Sequence, residues 1–363
     1  MGRLTRAQQQ ERTRAAVLVA AREEFAARGY TDAKVDRIAE RAELTRGAVY
    51  SNFPSKRALY LAVLVDSTEH ADVAPAAMAS APDLAEAMGA FARVWLERLP
   101  LTGDTSADGK LRLRSLAGVF DDEPGRTALA QVTRLEALLL ALPLESLAPR
   151  RAEPARLVRL AELVLTLLNG TSQLADTAPG FGDPFDVARA CRHLAGLDLA
   201  DTWDPAYLPY IAPAQPAQDP WEPPAESPDR LTGRPAALDA DGVIAVLGAG
   251  RLEAAEEAVR AARPGDRVTV AVVTSDPAEI GRLVRLRISD LTGCLRRVFA
   301  QDAWPCLRLV LDESATVASA IGIPDPGDAT EAAVRVQAGK VVARAYGRGA
   351  AHAVTTADGS TAE

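Results

Sequence analysis

Nine prolines fall between residues 203 and 235. No helix interior or central strand tolerates that density, because each proline fixes φ and removes a backbone donor. The chain must therefore divide there, and 203–235 is expected to run as an extended, proline-rich linker. Tyr207, Tyr210, Ile211 and Trp221 within it predict that it lies against a domain surface. The two flanks differ in kind. Residues 55–200 carry helical periodicity, whereas short β-branched runs alternate with helical stretches after 236. The expected fold class is multidomain: an all-α part followed by an α/β domain.

The most informative stretch on the helical side is 34–57. Val35, Ile38 and Ala39 share a narrow apolar face on a first short helix. Thr45 is suited to cap a second, since its hydroxyl can accept from first-turn N–H groups. Pro54 ends that helix, and Ser55 can cap a third beginning at Lys56. This is the plan of a helix-turn-helix. A preceding helix presents Leu18, Ala21 and Phe25 on one face and closes at Gly29-Tyr30. Charge is distributed to match: residues 1–65 carry 12 Lys+Arg against 7 Asp+Glu, while the whole chain is at −8. A basic head on an acidic body suits nucleic-acid binding. Arg3, Arg6, Arg12 and Arg14 read either as a solvated tail or as contacts to a DNA backbone.

The run Ile38-Ala39, then Leu44-Thr45-Arg46-Gly47-Ala48-Val49-Tyr50-Ser51-Asn52-Phe53-Pro54-Ser55-Lys56, resembles the DNA-binding domain of the TetR family of bacterial regulators, over about residues 10–65. The resemblance implies a helix-turn-helix domain (1–54) and a helical effector-binding and dimerisation domain (55–202). It also implies a cytoplasmic homodimer that binds double-stranded operator DNA as a repressor and responds to a small-molecule effector. Helix 46–52 would lie in the major groove, with Gly47 and Ala48 allowing close approach. Arg46 would read a guanine through a bidentate pair. Thr45, Tyr50 and Lys56 would hold the backbone, and Ser51 and Asn52 either backbone or base. Lys34 stands where the family usually has Ser or Thr, and would offer a point charge in place of a hydroxyl.

In the body, Leu84, Met88, Phe91, Trp95 and Leu99 form one helical stripe, and further helices are expected over 108–120 and 124–142. The segment 155–175 is apolar almost all round, so it needs burial on two sides. The resemblance implies that it pairs with a second subunit through Leu163, Val164 and Leu167, with Val187, Cys191 and Leu194 of a following helix (184–197). The alternative is a central helix of a monomeric core. Phe91, Trp95, Phe120, Asn169 and Gln173 are candidates for an effector pocket, or equally for ordinary packing. The effector itself is not legible.

After the linker the order is strand 243–247, helix 252–262, strand 267–274, helix 278–299, strand 307–311, helix 315–321 and a hairpin 333–346 turning at Ala338-Gly339. With the phrases Asp266-Arg-Val-Thr-Val-Ala-Val-Val-Thr-Ser-Asp276 and Leu309-Val-Leu-Asp-Glu-Ser314, this domain (236–352) resembles the thioredoxin/peroxiredoxin-like fold. The last residues, 353–363, are expected to be an unstructured tail. Thioredoxin-type chemistry needs a thiolate at a helix start, where the dipole stabilises the anion, and Gly248-Ala249-Gly250-Arg251 supplies none. Trp304-Pro305-Cys306 has one cysteine and precedes a strand. Gly248-x-Gly250 is a fragment of a dinucleotide fingerprint, but Glu253 occupies the third position. The three cysteines make no metal pattern. The extension is thus expected to be non-catalytic, with no metal, no cofactor and no enzyme activity; a thiol-redox or nucleotide-dependent enzyme is the alternative. No run is expected to span a bilayer, and no signal peptide is apparent.

Overall fold

The structure, a computed structural model, describes residues 5–70, 83–99, 116, 118–148, 156–178, 180–203, 205–225 and 227–357. The helix expected over 108–120 falls largely outside these. Helix α1 (Arg6–Asp32) begins at a capping box, in which Thr5 and Gln8 exchange side-chain and backbone bonds. Arg6, Arg12 and Arg14 therefore ride on a helix, not a tail; Arg3 is outside the described residues. Gly29 takes φ 73° and breaks α1 where the sequence predicts. Then come α2 (Val35–Arg41), α3 (Arg46–Asn52) and α4 (Lys56–Glu69). Phe25, Ile38, Val49, Phe53 and Tyr60 close the head around a shared core. Glu24 is buried there, drawing Arg28 (3.3 Å) and Arg41 (3.6 Å) and so joining α1 to α2.

The body consists of α5 (Leu84–Leu96), α6 (Glu123–Leu147), α7 (Val158–Thr177) and α8 (Pro184–Leu194). Contrary to expectation, α6 is long and apolar enough to cross a membrane, but most of that apolar window is buried inside the protein. On α7, Ala161, Val164, Leu165 and Leu168 point into the protomer's own core, while Leu163 and Leu174 stay exposed. On α8, Ala188 and Cys191 are buried, with Val187 and Leu194 half-buried beside them, on the helix that packs along α5. Val164 and Cys191 thus cannot form an interface between copies without opening this core. The apolar stripe of α8 is satisfied within one chain.

The second half is a mixed six-stranded sheet in the order β1-β6-β5-β2-β3-β4, from β1 (Gln215–Pro220), β2 (Gly242–Gly248), β3 (Val268–Val273), β4 (Leu307–Leu311), β5 (Glu331–Gln337) and β6 (Lys340–Tyr346). Strands β2, β3 and β4 are mutually parallel, with Val243 beside Val268 and Val268 beside Leu307. Strand β5 runs antiparallel to β2, with Leu247 opposite Glu331. Alternation sends Val243, Ala245, Leu247, Val268 and Val270 to one face and Ile244, Val246, Ala271 and Val273 to the other. Helices α9 (Ala254–Ala261), α10 (Ile280–Val298), α11 (Thr316–Ala320) and α12 (Ala350–Thr356) complete this part.

Two expected boundaries change. The proline-rich stretch, expected as an extended linker lying against a domain surface, contains a strand: β1 lies inside it, antiparallel to β6, with a bulge between Pro216 and Asp219. An edge strand tolerates proline because one side makes no ladder. Trp221 is buried and donates to the Leu238 carbonyl at 2.7 Å, although Tyr210 remains 87% exposed. At the opposite edge, Asp229 accepts from Leu309 N–H (3.0 Å) and Arg230 N–H donates to the Leu309 carbonyl (2.7 Å). The tail, in turn, is ordered through Thr356 as α12, because Ala351 and Val354 are buried in the core.

Helix α10 joins the halves. One continuous core runs from the head through the body to one face of the sheet, and α10 is buried within it through Leu283, Ile288, Leu291 and Leu295. It packs on α4, α5 and α6. Its arginines meet carboxylates of the body: Arg285 to Glu69 (2.7 Å), Arg287 to Glu136 (2.5 Å) and Arg297 to Glu97 (2.6 Å). Just beyond it, Trp304 is buried and donates to the Leu139 carbonyl of α6 at 2.9 Å. Burial alone would raise the pKa of Glu69, but bonds from Arg285, Arg230 and Ser289 outweigh it and hold the carboxyl down to about 2.

Two outcomes are expected. Trp304→Ala should cost about 3–5 kcal/mol, and urea denaturation should show both halves melting in one transition, since they share a core. Glu69 contributes stability that is complete above its unfolded pKa and is lost as pH falls from there towards about 2. The stability gap between the parent and Glu69→Gln, measured by urea denaturation, should therefore close over that range.

Candidate nucleic-acid interface and ligand cavity

The sequence placed the outward face of α3 at the centre, and the local bonds define how it is held. Thr45 caps α3 by accepting from Ala48 N–H at 3.2 Å. Val49 is the buried anchor, which turns Arg46, Gly47 and Tyr50 outward. A Cβ on Gly47 would meet nothing nearer than the Thr45 hydroxyl at 3.9 Å, so the site is open on that side. Arg46 pairs with Asp36 at 3.3 Å, both side chains being largely exposed, and lies over the Tyr50 ring at 5.5 Å. An exposed pair of this kind holds the guanidinium loosely and costs little to open.

The other predicted residues are more engaged. Ser51 Oγ and Asn52 Nδ2 both donate to the Ala48 carbonyl at 2.9 Å, folding back on their own helix. Lys34 is exposed at the N-cap of α2 but makes no side-chain cap. Lys56 donates to the Thr31 carbonyl at 3.0 Å and sits 4.9 Å from the Tyr30 ring centroid. Its partial burial lowers its pKa against the pull of Asp32. It is thus chiefly a tie between α1 and α4, with two of its three donors left over. A shallow polar groove lies between the start of α1 and α3, lined by Thr5, Arg6, Gln9, Gln10, Thr13, Ala48, Ser51 and Asn52. Sequence reasoning missed Gln9, Gln10 and Thr13. Their spacing on one face of α1 was visible, but their nearness to α3 was not.

Behind the head, a cavity of about 440 Å³ opens between α4, α5, α6, α7 and α10. Of the five residues nominated for an effector pocket, Trp95, Phe120, Asn169 and Gln173 line it. Phe91 does not; it is buried behind Trp95, with the ring centroids 5.9 Å apart. Residues not foreseen at this wall include Arg98, Leu286, Arg287 and Asp290. Arg98 stacks 3.9 Å from the Trp95 ring centroid and pairs with Asp290. Burial opposes its charge, and the Asp290 carboxylate more than offsets that.

In the second half, the glycines that hinted at a phosphate cradle are otherwise occupied. Gly248 N–H donates to the Thr330 carbonyl (2.7 Å) and Gly250 N–H to the Asp328 carbonyl (2.9 Å). A Cβ at Gly248 would stand 2.3 Å from the Asp328 carbonyl oxygen, so this loop fills the space. Burial pushes the thiols of Cys191 and Cys294 up to about 11 and that of Cys306 upward, away from thiolate reactivity. Among the described residues no group of three His, Cys, Asp or Glu side chains is placed to hold a metal.

Residues 17–63 match the model of the bacterial regulatory proteins of the tetR family. This match covers the helix-turn-helix of the head, α2 and α3, with most of α1 and the start of α4. Over 84 residues the chain is 43% identical to the HTH-type transcriptional regulator SrpR of Pseudomonas putida, which spans 23% of this chain and 37% of SrpR. It is likewise 43% identical over 84 residues to TtgW, an uncharacterized HTH-type transcriptional regulator of Pseudomonas putida, covering 23% of this chain and 58% of TtgW. The chain thus aligns with 37% of SrpR and 58% of TtgW, under two thirds of either relative. Among solved structures it is similar to NalD, the secondary repressor of the MexAB-OprM efflux pump in Pseudomonas aeruginosa, at 22% identity and TM-score 0.31, over 51% of this chain and 95% of NalD.

Arg46→Ala should leave stability within about 0.5 kcal/mol of the parent, as exposed pairs do. Lys56→Ala should lower the melting temperature measurably, because it severs α1 from α4.

Proposed function

We propose that the protein is a homodimeric, cytoplasmic transcriptional repressor that binds operator DNA through α3 and responds to a small molecule held in the α5–α6–α7–α10 cavity. The observation that carries this reading is the head itself. A capped recognition helix turns Arg46, Gly47 and Tyr50 to solvent, within a segment that matches the tetR family model. Arg46 would pair bidentately with guanine in the major groove, opening its weak contact to Asp36. Lys34, Thr45, Ala48, Tyr50, Ser51, Asn52 and the free donors of Lys56 would fix the helix on the backbone, with Gln9 and Thr13 of the adjoining groove. Two heads about 34 Å apart would read a palindrome.

The second copy is expected on the outer surface of α7 and α8, where Leu163 (37% exposed), Leu174 (41%) and Phe185 (78%) leave apolar area in water. Leu167 and its half-buried neighbours extend that surface. For the second half we favour a thioredoxin-like arrangement without turnover. The order β6-β5-β2-β3, with β2 and β3 parallel and β5 reversed, supports it. The filled Gly248–Gly250 corner and the raised thiol pKa values weigh against a nucleotide-dependent or thiol-redox enzyme.

DNA selected from a random pool by the full-length protein should contain a palindrome. Arg46→Ala should cost about 1–3 kcal/mol on that site and relax one base position. Equal binding of all sequences by the parent would reject the reading. Leu163→Glu with Leu174→Glu should yield monomers in sedimentation experiments, and an unchanged dimer would remove this surface from the interface.

A further inference from the structure

We propose that the cavity takes an uncharged aromatic molecule, and that α10 of the C-terminal half is the wall that reads it and passes the reading to α4. This rests on the ligand-responsive reading above and adds to it the class of ligand and the element that senses it.

The class follows from the lining. At about 440 Å³ the cavity is of drug-like size. Trp95 and Phe120 contribute aromatic surface to the lining, and Leu64, Leu129 and Leu286 complete an apolar surround. The cations in the wall already have partners, Arg98 with Asp290 and Arg287 with Glu136. An anionic guest would lose its hydration while facing no free positive charge among the described residues of the wall. A cation would have to compete with Arg98 for Asp290, and the other lining carboxylate, Asp121, is exposed, so a cation held there gains only a solvent-screened contact. Hydrogen-bonding capacity remains on one side. Asn169 spends one of its two amide N–H groups on the Leu165 carbonyl (2.8 Å), which leaves the other N–H and its carbonyl oxygen, and the Gln173 amide also lines this wall. A planar, neutral molecule with one or two polar groups fits these walls.

The coupling follows from where α10 is tied. Leu286, Arg287 and Asp290 face the cavity. On the same helix, Arg285 and Ser289 bond Glu69 at the far end of α4, at 2.7 Å and 3.0 Å. Arg282 donates to the Ala58 carbonyl at 2.9 Å near the start of α4. Glu279, at the start of α10, holds both Ser55 and Arg57 where the head joins α4. A guest that wedges α10 between 286 and 290 therefore pulls on both ends of the helix that carries the head. This is a continuous mechanical route, as coupling between sites requires.

The test uses the full-length protein and three probes of one shape: 2-naphthol, 2-naphthoate and 2-naphthyltrimethylammonium, followed by equilibrium dialysis. The expected result is that 2-naphthol binds about tenfold or more tightly than either ion. Leu129→Phe in the body wall and Leu286→Phe in the α10 wall should each weaken it by a similar factor. The conservative Asp290→Asn uncovers Arg98 and should bring 2-naphthoate at least level with 2-naphthol. Hydrogen exchange over 56–69 should change on 2-naphthol binding in the parent and not in Arg285→Ala. If Leu129→Phe loses 2-naphthol while Leu286→Phe keeps it and Asp290→Asn keeps the parent's selectivity, α10 is not the reading wall, and the body cavity survives as the ligand site. Failure of 2-naphthol to bind at millimolar concentration, or binding unaffected by all three cavity variants, overturns the cavity itself. Unchanged exchange over 56–69 in the parent overturns the coupling.

Discussion

The double attachment of α10 is the constraint on which the rest depends. Its leucines bury against both the helical body and the sheet-bearing half, and its arginines meet carboxylates on α4, α5 and α6. Neither half closes its core without it. Removing the second half would expose the apolar flanks of α4, α5 and α6 together with Glu136, whose pKa burial has already raised against the pull of Arg287. The second half is therefore part of the fold of the helical body, not an appendage on a tether.

The same attachment alters how a signal can travel. In a helical body alone, a ligand would push directly on the helix that bears the head. Here the wall of the cavity and the brace on that helix are one rigid element, anchored at Ser55, Ala58 and Glu69. A small displacement at 286–290 has little to absorb it, because close-packed interiors transmit strain. The two halves act as a lever and its mounting.

What the sequence disclosed was local. Gly29, Thr45 and Ser55 mark helix ends through bonds within a few residues of themselves, so the head could be drawn almost residue by residue. The strand order after 242 followed from β-branched runs and turn glycines. What it withheld was long-range. Apolar periodicity on α7 and α8 does not say which neighbour covers it, and Val164 and Cys191 turned inward to their own chain. Phe91 likewise shares the face of Trp95 by spacing, yet only one of the two reaches the cavity. The proline density between 203 and 235 excluded a central strand, as argued, but an edge strand was still open to it. Nothing in the spacing of Arg282, Arg285 and Arg287 announces a brace, because their partners on α4 and α6 lie more than a hundred residues away.

Both edges of the sheet are partly blocked. On one side β1 interposes Pro216 and Pro220, which offer no N–H, and a bulge twists the strand. On the other, the buried Asp229 and the Arg230 amide take up the polar groups of Leu309. A strand from another molecule therefore finds an interrupted ladder on either side, which hinders edge-to-edge aggregation. A partner of this half would therefore meet helices and loops more readily than a continuous sheet edge.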